Sequence, residues 1–307
     1  MKLLTLNTHS LQEEAYLEKL EQFVLVIQKE KPDIIALQEV NQSIDAPLAK
    51  EELLQGWVPC LDGVRIRQDN HAAQVALRLN QAGICCSWTW ISAKIGYDRY
   101  DEGMAFLCMN QNITKVDSFF LSKCKDYQNW KTRRALGIQI QNSKDWFYTV
   151  HMGWWQDEEE PFLTQWEQLT AVLQPKREQN TVWLMGDFNS PAEFRKQGYD
   201  CILKDRWKDT YQLAKQKDCG ITVEGCIDGW EEFYQKQTMP KGLRMDLIWC
   251  SQSVPIEYSK VLFNGESEPK VSDHFGVLIK TTEIKKKKKR KENKNNETSS
   301  RDFTSNY

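Results

Sequence analysis

Short apolar runs rich in β-branched and aromatic residues recur along the chain, which is the pattern of buried strands. We recognise nine such runs, at residues 3–6, 33–40, 85–91, 103–109, 136–140, 146–152, 181–188, 245–250 and 275–280. Residues 12–30 and 162–173 have helical spacing instead. Because helices separate only some of the strands and no linker divides residues 1–283, the pattern predicts one mixed α/β domain with sheet packed on sheet and helices outside.

The composition supports a soluble globular domain: the chain has 307 residues, of which 40% are hydrophobic, enough for a sizeable core. No apolar run reaches the roughly 18 residues that a membrane span needs, and the N-terminus lacks the apolar region of a signal peptide. We therefore expect a cytoplasmic protein without a membrane span. The nine cysteines include no CxxC pair, so we expect free thiols rather than disulfides or a zinc ribbon.

The charge is unevenly distributed along the chain. Residues 285–307 carry nine basic and three acidic residues, a net charge of +6, and this leaves −8 for residues 1–284. We predict that 1–283 is the catalytic domain and that 284–307 is a disordered basic tail. A solubilising role for the tail is favoured, and attachment to nucleic acid or anionic lipid is the alternative.

Polar residues follow many of the predicted strands, where an active site would collect them. A single Asp, Asn or His at such a place is usually a turn residue or a cap, and we interpret His9 and His71 in that way. Glu39 is harder to dismiss, because it follows an apolar run and a carboxylate entering from a buried strand needs a partner or a metal ion.

Taken together, the segments LTLN, LQEV, GDFN, RMD and SDH, in this order between residues 3 and 276, resemble the endonuclease/exonuclease/phosphatase superfamily of metal-dependent hydrolases. The resemblance implies a deoxyribonuclease-like four-layer α/β sandwich, in which two packed mixed sheets are flanked by helices. It also implies a phosphoric ester hydrolase whose site lies at one edge of the sandwich.

The resemblance implies a role for each motif residue. Glu39 is similar to the main Mg²⁺ carboxylate, with Asn7 and Asp273 completing the metal site directly or through water; Mn²⁺ is the alternative cation, and oxygen ligands suit both. The implied catalytic residues are His274 with Asp246 on its other ring nitrogen, His151 oriented by Glu102, the pair Asp187 and Asn189 that activates water, and Arg134 on the phosphate. Only one of Arg133 and Arg134 should face the phosphate, since a strand alternates faces.

The motifs indicate the reaction but not the substrate, so the substrate has to be inferred from the loops. A domain with a charge of −8 repels a polyanion. The acids from Asp157 to Glu160 suggest negative charge near the site, although favourable placement at a helix N-terminus is the better explanation of this run taken alone. Trp154, Trp155 and Trp230 flank the motifs and could stack on sugars or bases. Tyr100, two residues before Glu102, reproduces a YxE pattern of the deoxyribonuclease branch and joins them as a candidate binding residue.

The longer segments YDEGMAFL, HMGWW and VSDHFGV resemble a bacterial branch of the maltose 6'-phosphate phosphatase type. This resemblance implies a small phosphorylated substrate, a disaccharide phosphate from which inorganic phosphate is released. A DNA or RNA nuclease, with the lysine-rich tail supplying affinity for nucleic acid, is the alternative. A binding protein that lost catalysis is a third hypothesis, which the complete set of acids and histidines disfavours.

Overall fold

The computed structural model describes residues 1–61, 63–225, 230 and 241–282. Its strands are β1 Lys2–Asn7, β2 Ile34–Ser43, β3 Cys86–Gly96, β4 Tyr100–Met109, β5 Ile113–Phe120, β6 Arg134–Ile140, β7 Trp146–His151, β8 Val182–Asp187, β9 Lys208–Asp209, β10 Ala214–Lys217, β11 Val223–Glu224, β12 Gly242–Leu243, β13 Asp246–Cys250, β14 Ile256–Leu262 and β15 Gly276–Thr281. Its helices are α1 Tyr16–Glu30, α2 His71–Gln81, α3 Phe162–Gln179, α4 Gly198–Lys204 and α5 Thr210–Leu213, with short 3-10 helices at Ser10–Gln12 and Glu51–Leu54.

Two mixed sheets form the centre of the molecule. One has seven strands in the order β10-β14-β15-β1-β2-β4-β3, and the other has six in the order β5-β6-β7-β8-β13-β9. The apolar side chains between them come from both sheets, for example Leu3 and Phe106 from one and Leu136 and Met185 from the other. This arrangement confirms the predicted packing of sheet on sheet.

Helices cover the two outer faces. Phe23 of α1 and Leu79 of α2 pack on the outer face of the seven-stranded sheet, and Trp166 of α3 and Ile202 of α4 pack on that of the six-stranded sheet. The four layers are therefore helix, sheet, sheet and helix, which confirms the four-layer α/β sandwich that the sequence motifs implied.

Strand direction gathers the motif residues at one edge of the sandwich. The strands β1 and β2 are parallel, as are β7 and β8, so their carboxyl ends meet at a common edge. The strand β13 runs antiparallel to β8, with Asp246 opposite Asp187, and β15 runs antiparallel to β1. The starts of β13 and β15 consequently join the ends of β1, β2, β7 and β8.

Two features of the fold differ from the sequence-based expectation. A helix over His71–Gln81, capped by the Asn70 side chain, was not predicted. The acids before α3 do not lie in its first turn, because the helix begins at Phe162. Glu160 is instead buried and accepts hydrogen bonds from the backbone N–H groups of Lys123 and Cys124. These acids therefore build a loop, and the interpretation of the whole run as helix-dipole placement was wrong.

Within the described part of the chain, none of the helices is both long and apolar enough to cross a membrane. The predicted basic tail, 284–307, lies outside the described residues, so the proposed domain boundary stays a prediction.

Candidate active site

Glu39 lies at a β-bulge in β2, where the pairing with β4 shifts between Leu37 and Val40. Its φ of 50° is in the left-handed region, which is uncommon for residues other than glycine. Asn7 Nδ2 donates a hydrogen bond to Glu39 Oε1 at 2.8 Å. Burial and the nearby carboxylate of Glu102 raise the pKa of Glu39 to about 7. The bulge thus places a poorly stabilised carboxylate on the wall of a pocket of about 360 Å³.

Asp187, at the end of β8, is the central carboxylate of this pocket. Its Oδ2 accepts a hydrogen bond from Asn7 Nδ2 at 3.2 Å. The same oxygen lies 3.7 Å from His151 Nε2 and 3.9 Å from His274 Nε2. Burial raises the pKa of Asp187 to about 6. Asp187 can therefore exchange a proton with a water molecule near neutral pH.

The two histidines nearest Asp187 have opposite electrostatic environments. Burial opposes the protonation of His274, but the carboxylates of Asp246 and Asp187 outweigh it and raise the pKa of His274 well above its usual value. His274 Nδ1 lies 2.9 Å from Asp246 Oδ2. Burial and the cationic Arg133 hold the pKa of His151 well below its usual value. Near Asp187 Oδ2 the pocket therefore holds one charged imidazole, His274, and one neutral imidazole, His151.

Two buried cationic side chains, Lys94 from β3 and Arg133 from the turn before β6, line the same pocket. Each is 8% exposed. Lys94 Nζ lies 3.1 Å from Glu102 Oε1. Among the described residues, the Arg133 guanidinium donates only to the backbone carbonyls of Trp130 and Thr132, and it has no ion pair with any carboxylate there. A buried guanidinium without a counterion is energetically unfavourable unless an anion binds beside it.

Aromatic side chains form the rim of the pocket. Trp154, Trp130 and Tyr97 line it, and the ring centroids of Trp130 and Trp154 lie 5.6 Å apart with the planes tilted by 57°. Trp130 is 49% exposed and Tyr97 is 43% exposed. Large aromatic faces at the mouth of a polar pocket are suited to contact a ligand.

His9 was interpreted from the sequence as a turn residue, but it also lines the pocket. Its Nδ1 lies 2.8 Å from Glu13 Oε1 and its Nε2 lies 3.2 Å from the Tyr97 hydroxyl. Although burial opposes it, the hydrogen bond with Glu13 and the charge of Glu39 raise the pKa of His9 to about 9. The sequence held no helical signal for this pair, because His9 and Glu13 flank the short 3-10 helix Ser10–Gln12 rather than lie in an α-helix.

The sequence model described as the Endonuclease/Exonuclease/phosphatase family matches residues 4–274 of the chain. The chain belongs to this family. Members of the family are hydrolases, and the chain is accordingly a hydrolase of the endonuclease/exonuclease/phosphatase family.

Solved structures agree with this assignment. A family protein from Leptotrichia buccalis is 29% identical with a TM-score of 0.78, and the match covers 92% of this chain and all of that one. A mannosyl-6-phosphatase from Bacteroides thetaiotaomicron (16% identity, TM-score 0.58, 92% and 100% coverage) and a truncated TDP2 from Caenorhabditis elegans (17%, 0.57, 92% and 97%) share the fold. No match to a curated protein was found.

Most of the residues predicted from the family motifs line one pocket. This set contains Glu39, Glu102, His151, Trp154, Asp187, Asn189, Asp273 and His274. Asp246 is buried directly behind His274, and Asn7 bridges two of the pocket carboxylates. Their assembly in space agrees with the family motifs, while their individual roles stay predictions.

Two predicted polar contacts differ in the structure. Arg134 does not line the pocket: its guanidinium lies 4.5 Å from the centroid of the Phe120 ring and donates to Ser118 Oγ. Arg133 takes the position at the pocket, because only one of two successive residues faces it. Glu102 pairs with Lys94 and makes no hydrogen bond to His151 among the described side chains.

Three of the predicted binding residues lie away from the pocket surface. The Tyr100 hydroxyl donates to the backbone carbonyl of Leu11, and the Trp155 ring packs 6.0 Å from Phe162 on the helical side. Trp230 is 7% exposed, and its Nε1 donates to Asn189 Oδ1 at 3.3 Å. Direct substrate contact by these residues is not supported, because each ring or hydroxyl is occupied by protein.

The donors in the pocket fit a hard divalent cation. Glu39 is a buried carboxylate whose charge is opposed by its surroundings, and a cation would neutralise it. Asn7 directs Nδ2 toward the carboxylates, whereas its Oδ1 accepts a hydrogen bond from the backbone N–H of His9. Asn7 is therefore arranged to orient the carboxylate of Glu39, which would be the ligand of the cation. Asp273 lies on the same wall and shares a second cluster of potential ligands with His9 and Glu13.

Proposed function

We propose that this hydrolase is a Mg²⁺-dependent phosphomonoesterase that releases inorganic phosphate from a phosphorylated sugar, with a disaccharide phosphate such as maltose 6'-phosphate as the preferred candidate. The observation that carries the proposal is the buried guanidinium of Arg133. It faces the acid–base residues and has no carboxylate partner within the described ranges. Phosphoryl oxygens bind guanidinium groups with strong charge-assisted hydrogen bonds.

The shape and lining of the pocket support a small substrate. A volume of about 360 Å³ is at the lower end of the range for small-molecule sites. The polar residues lie at the base, and the exposed Trp130 and Tyr97 lie at the rim. A phosphate at the base would leave a sugar ring at the height of these aromatic faces, where stacking can bind it.

In the proposed reaction, a water oxygen forms a bond to phosphorus as the bond from phosphorus to the sugar oxygen breaks. Asp187 accepts the proton of the attacking water, and its carboxylate is held in place by the backbone N–H of Asn189. The protonated His274, fixed by Asp246, donates its proton to the departing sugar oxygen. The products are the free sugar hydroxyl and inorganic phosphate, so atoms and charge balance.

Glu39 and Asp273 would hold the divalent cation, and Asn7 would orient Glu39. When bound, such a cation supplies positive charge to the non-bridging phosphoryl oxygens. The protein's own cations, Arg133 and Lys94, line the same pocket and can perform the same electrostatic task.

A DNA or RNA nuclease of the same family is the second candidate. The observation that favours it is the basic segment 285–307, with nine lysine and arginine residues. Deletion of 285–307 distinguishes the two functions. After the deletion, a nuclease that depends on these lysines would bind nucleic acid more weakly, and the remaining affinity would depend less on salt. Hydrolysis of a small sugar phosphate would be unchanged.

The test of the proposal is a phosphate-release screen with Mg²⁺ over sugar phosphates, nucleotides and inositol phosphates, beside plasmid and RNA cleavage. We expect the highest kcat/KM for a phosphorylated sugar. Cleavage of plasmid or RNA without phosphate release from any monoester would refute the proposal and support the nuclease.

A further inference from the structure

Lys94 occupies an unusual position for a lysine. It lies near the end of β3, where the pairing with β4 shifts between Ser92 and Lys94, and only 8% of it is exposed. Lysines are almost never buried to this extent without a partner. The register shift turns the ammonium group toward the pocket that also contains Asp187.

Among the described residues, the ammonium group has two protein partners. Lys94 Nζ donates to the backbone carbonyl of Trp130 at 2.9 Å and lies 3.1 Å from Glu102 Oε1. An ammonium group has three N–H donors. One donor therefore remains for a ligand in the pocket.

The carbonyl of Trp130 also accepts a hydrogen bond from Arg133 Nη1 at 2.7 Å. Because the two cations share one acceptor, they are held next to each other in a buried site. Burial lowers the pKa of both cations, and the charge of Arg133 lowers that of Lys94 further. Among the described carboxylates, only Glu102 forms a direct ion pair with either cation, so the Arg133 guanidinium can contact a bound anion beside Lys94.

If Lys94 served only to neutralise Glu102, it would not need to lie beside Arg133. The charge of the substrate provides a reason for the arrangement. A phosphodiester carries one negative charge, which Arg133 alone can match, whereas a terminal phosphate carries close to two at neutral pH. The second cation is needed only for the terminal phosphate.

We propose that Lys94 is the residue that selects a dianionic terminal phosphate over a monoanionic phosphodiester, by contacting a phosphoryl oxygen beside Arg133. This inference rests on the proposed function of the pocket. It adds that the enzyme selects its substrate by the charge of the phosphate group. The shared carbonyl of Trp130 fixes the spacing of the two cations. The two positive charges are therefore held at a defined position in the pocket, where they can bind the charged phosphoryl oxygens.

The test compares p-nitrophenyl phosphate with bis(p-nitrophenyl) phosphate, which have the same leaving group and differ in charge. Lys94→Met should lower kcat/KM for the monoester by about 10- to 100-fold, the range for loss of a hydrogen bond to a charged group, and should lower it much less for the diester. Lys94→Arg, which keeps the charge, should restore most of the monoester preference. Lys176→Met is the matched control, because Lys176 is also ion-paired, to Asp117, but lies outside this pocket.

A second readout is binding of inorganic phosphate, measured as protection against thermal unfolding at pH 8. Lys94→Met should weaken this binding by about the same factor as the monoester kcat/KM, and Lys176→Met should not change it. Lys94→Gln keeps a donor for the carbonyl of Trp130 and replaces Lys94→Met if that variant does not fold.

The outcomes separate the inference from the proposed function. A wild-type enzyme that cleaves only the diester would refute the proposed function. A wild-type enzyme that prefers the monoester, together with Lys94 variants that bind phosphate as tightly as wild type or lose activity equally on both esters, would overturn the inference alone.

Discussion

Replacing Glu39 by glutamine should stabilise the metal-free protein at alkaline pH. Glutamine has the same shape as glutamate but no charge, and a pKa raised from 4.5 to about 7 means that the ionised carboxyl is disfavoured in the folded state. One unit of pKa shift corresponds to about 1.36 kcal/mol, so the ionised Glu39 lowers the free energy of unfolding by about 3 kcal/mol.

The sign follows from proton binding. Between pH 4.5 and about 7 the folded protein binds more protons at Glu39 than the unfolded chain, so its stability falls as pH rises through this range. The destabilisation is complete above the folded pKa and absent below the unfolded one. Glu39→Gln should therefore gain up to about 3 kcal/mol at pH 8 and nothing at pH 4.

The assay is urea unfolding in the presence of a chelator at both pH values, repeated with Mg²⁺. Mg²⁺ should stabilise the wild type, because the cation binds the folded carboxylate, and should leave Glu39→Gln nearly unchanged. Glu18→Gln, on the exposed surface of α1, is the control. A variant that is less stable than wild type at pH 8 without metal, or that responds equally to Mg²⁺, would refute the assignment of Glu39.

Three further predictions concern the pocket. Arg133→Ala should lower kcat/KM for a phosphate ester by about 10- to 100-fold, whereas Arg134→Ala should retain most of it; comparable losses in steady-state assays would contradict the orientation seen here. His274→Ala should lower kcat by about 100-fold or more, and a near-wild-type rate on an ester with a poor leaving group would exclude proton transfer by His274. Trp154→Ala should raise KM for a disaccharide phosphate at constant melting temperature, whereas Trp155→Ala should lower the melting temperature at constant KM; the reverse result would place the substrate elsewhere.

The motifs predicted much of the site because they lie where strands end. Asp187 and Asp246 are far apart in sequence, but they are register partners of the antiparallel pair β8 and β13. A residue at the carboxyl end of one such strand and a residue at the start of its neighbour must meet at the same edge. The fold could also be predicted, because the short apolar runs correspond to most of the strands.

The parts that the sequence did not reveal depend on irregular backbone. The register shift beside Lys94 decides which face the side chain occupies, and a shift of one residue reverses that face. The choice between Arg133 and Arg134 depends likewise on where β6 begins. Neither signal is present in the spacing of apolar residues.

The rim was predicted only in part because it is assembled from loops. Trp130 and Tyr97 come from separate connections and meet at the pocket only in the folded chain. Tyr100 matched a family pattern, but its hydroxyl is used by the backbone of Leu11. Contacts of this kind depend on loop conformation, which local propensity does not determine.

We propose that the pocket hydrolyses a phosphorylated sugar in preference to nucleic acid. The most direct test is a competition in one reaction with Mg²⁺, in which a phosphorylated disaccharide and labelled DNA and RNA oligonucleotides are followed together, so that the ratio of their kcat/KM values is measured without differences in enzyme preparation. We expect inorganic phosphate to be released from the disaccharide while the oligonucleotides remain intact, and His274→Ala to slow the release by about 100-fold or more. Cleavage of either oligonucleotide ahead of phosphate release from the sugar would contradict it.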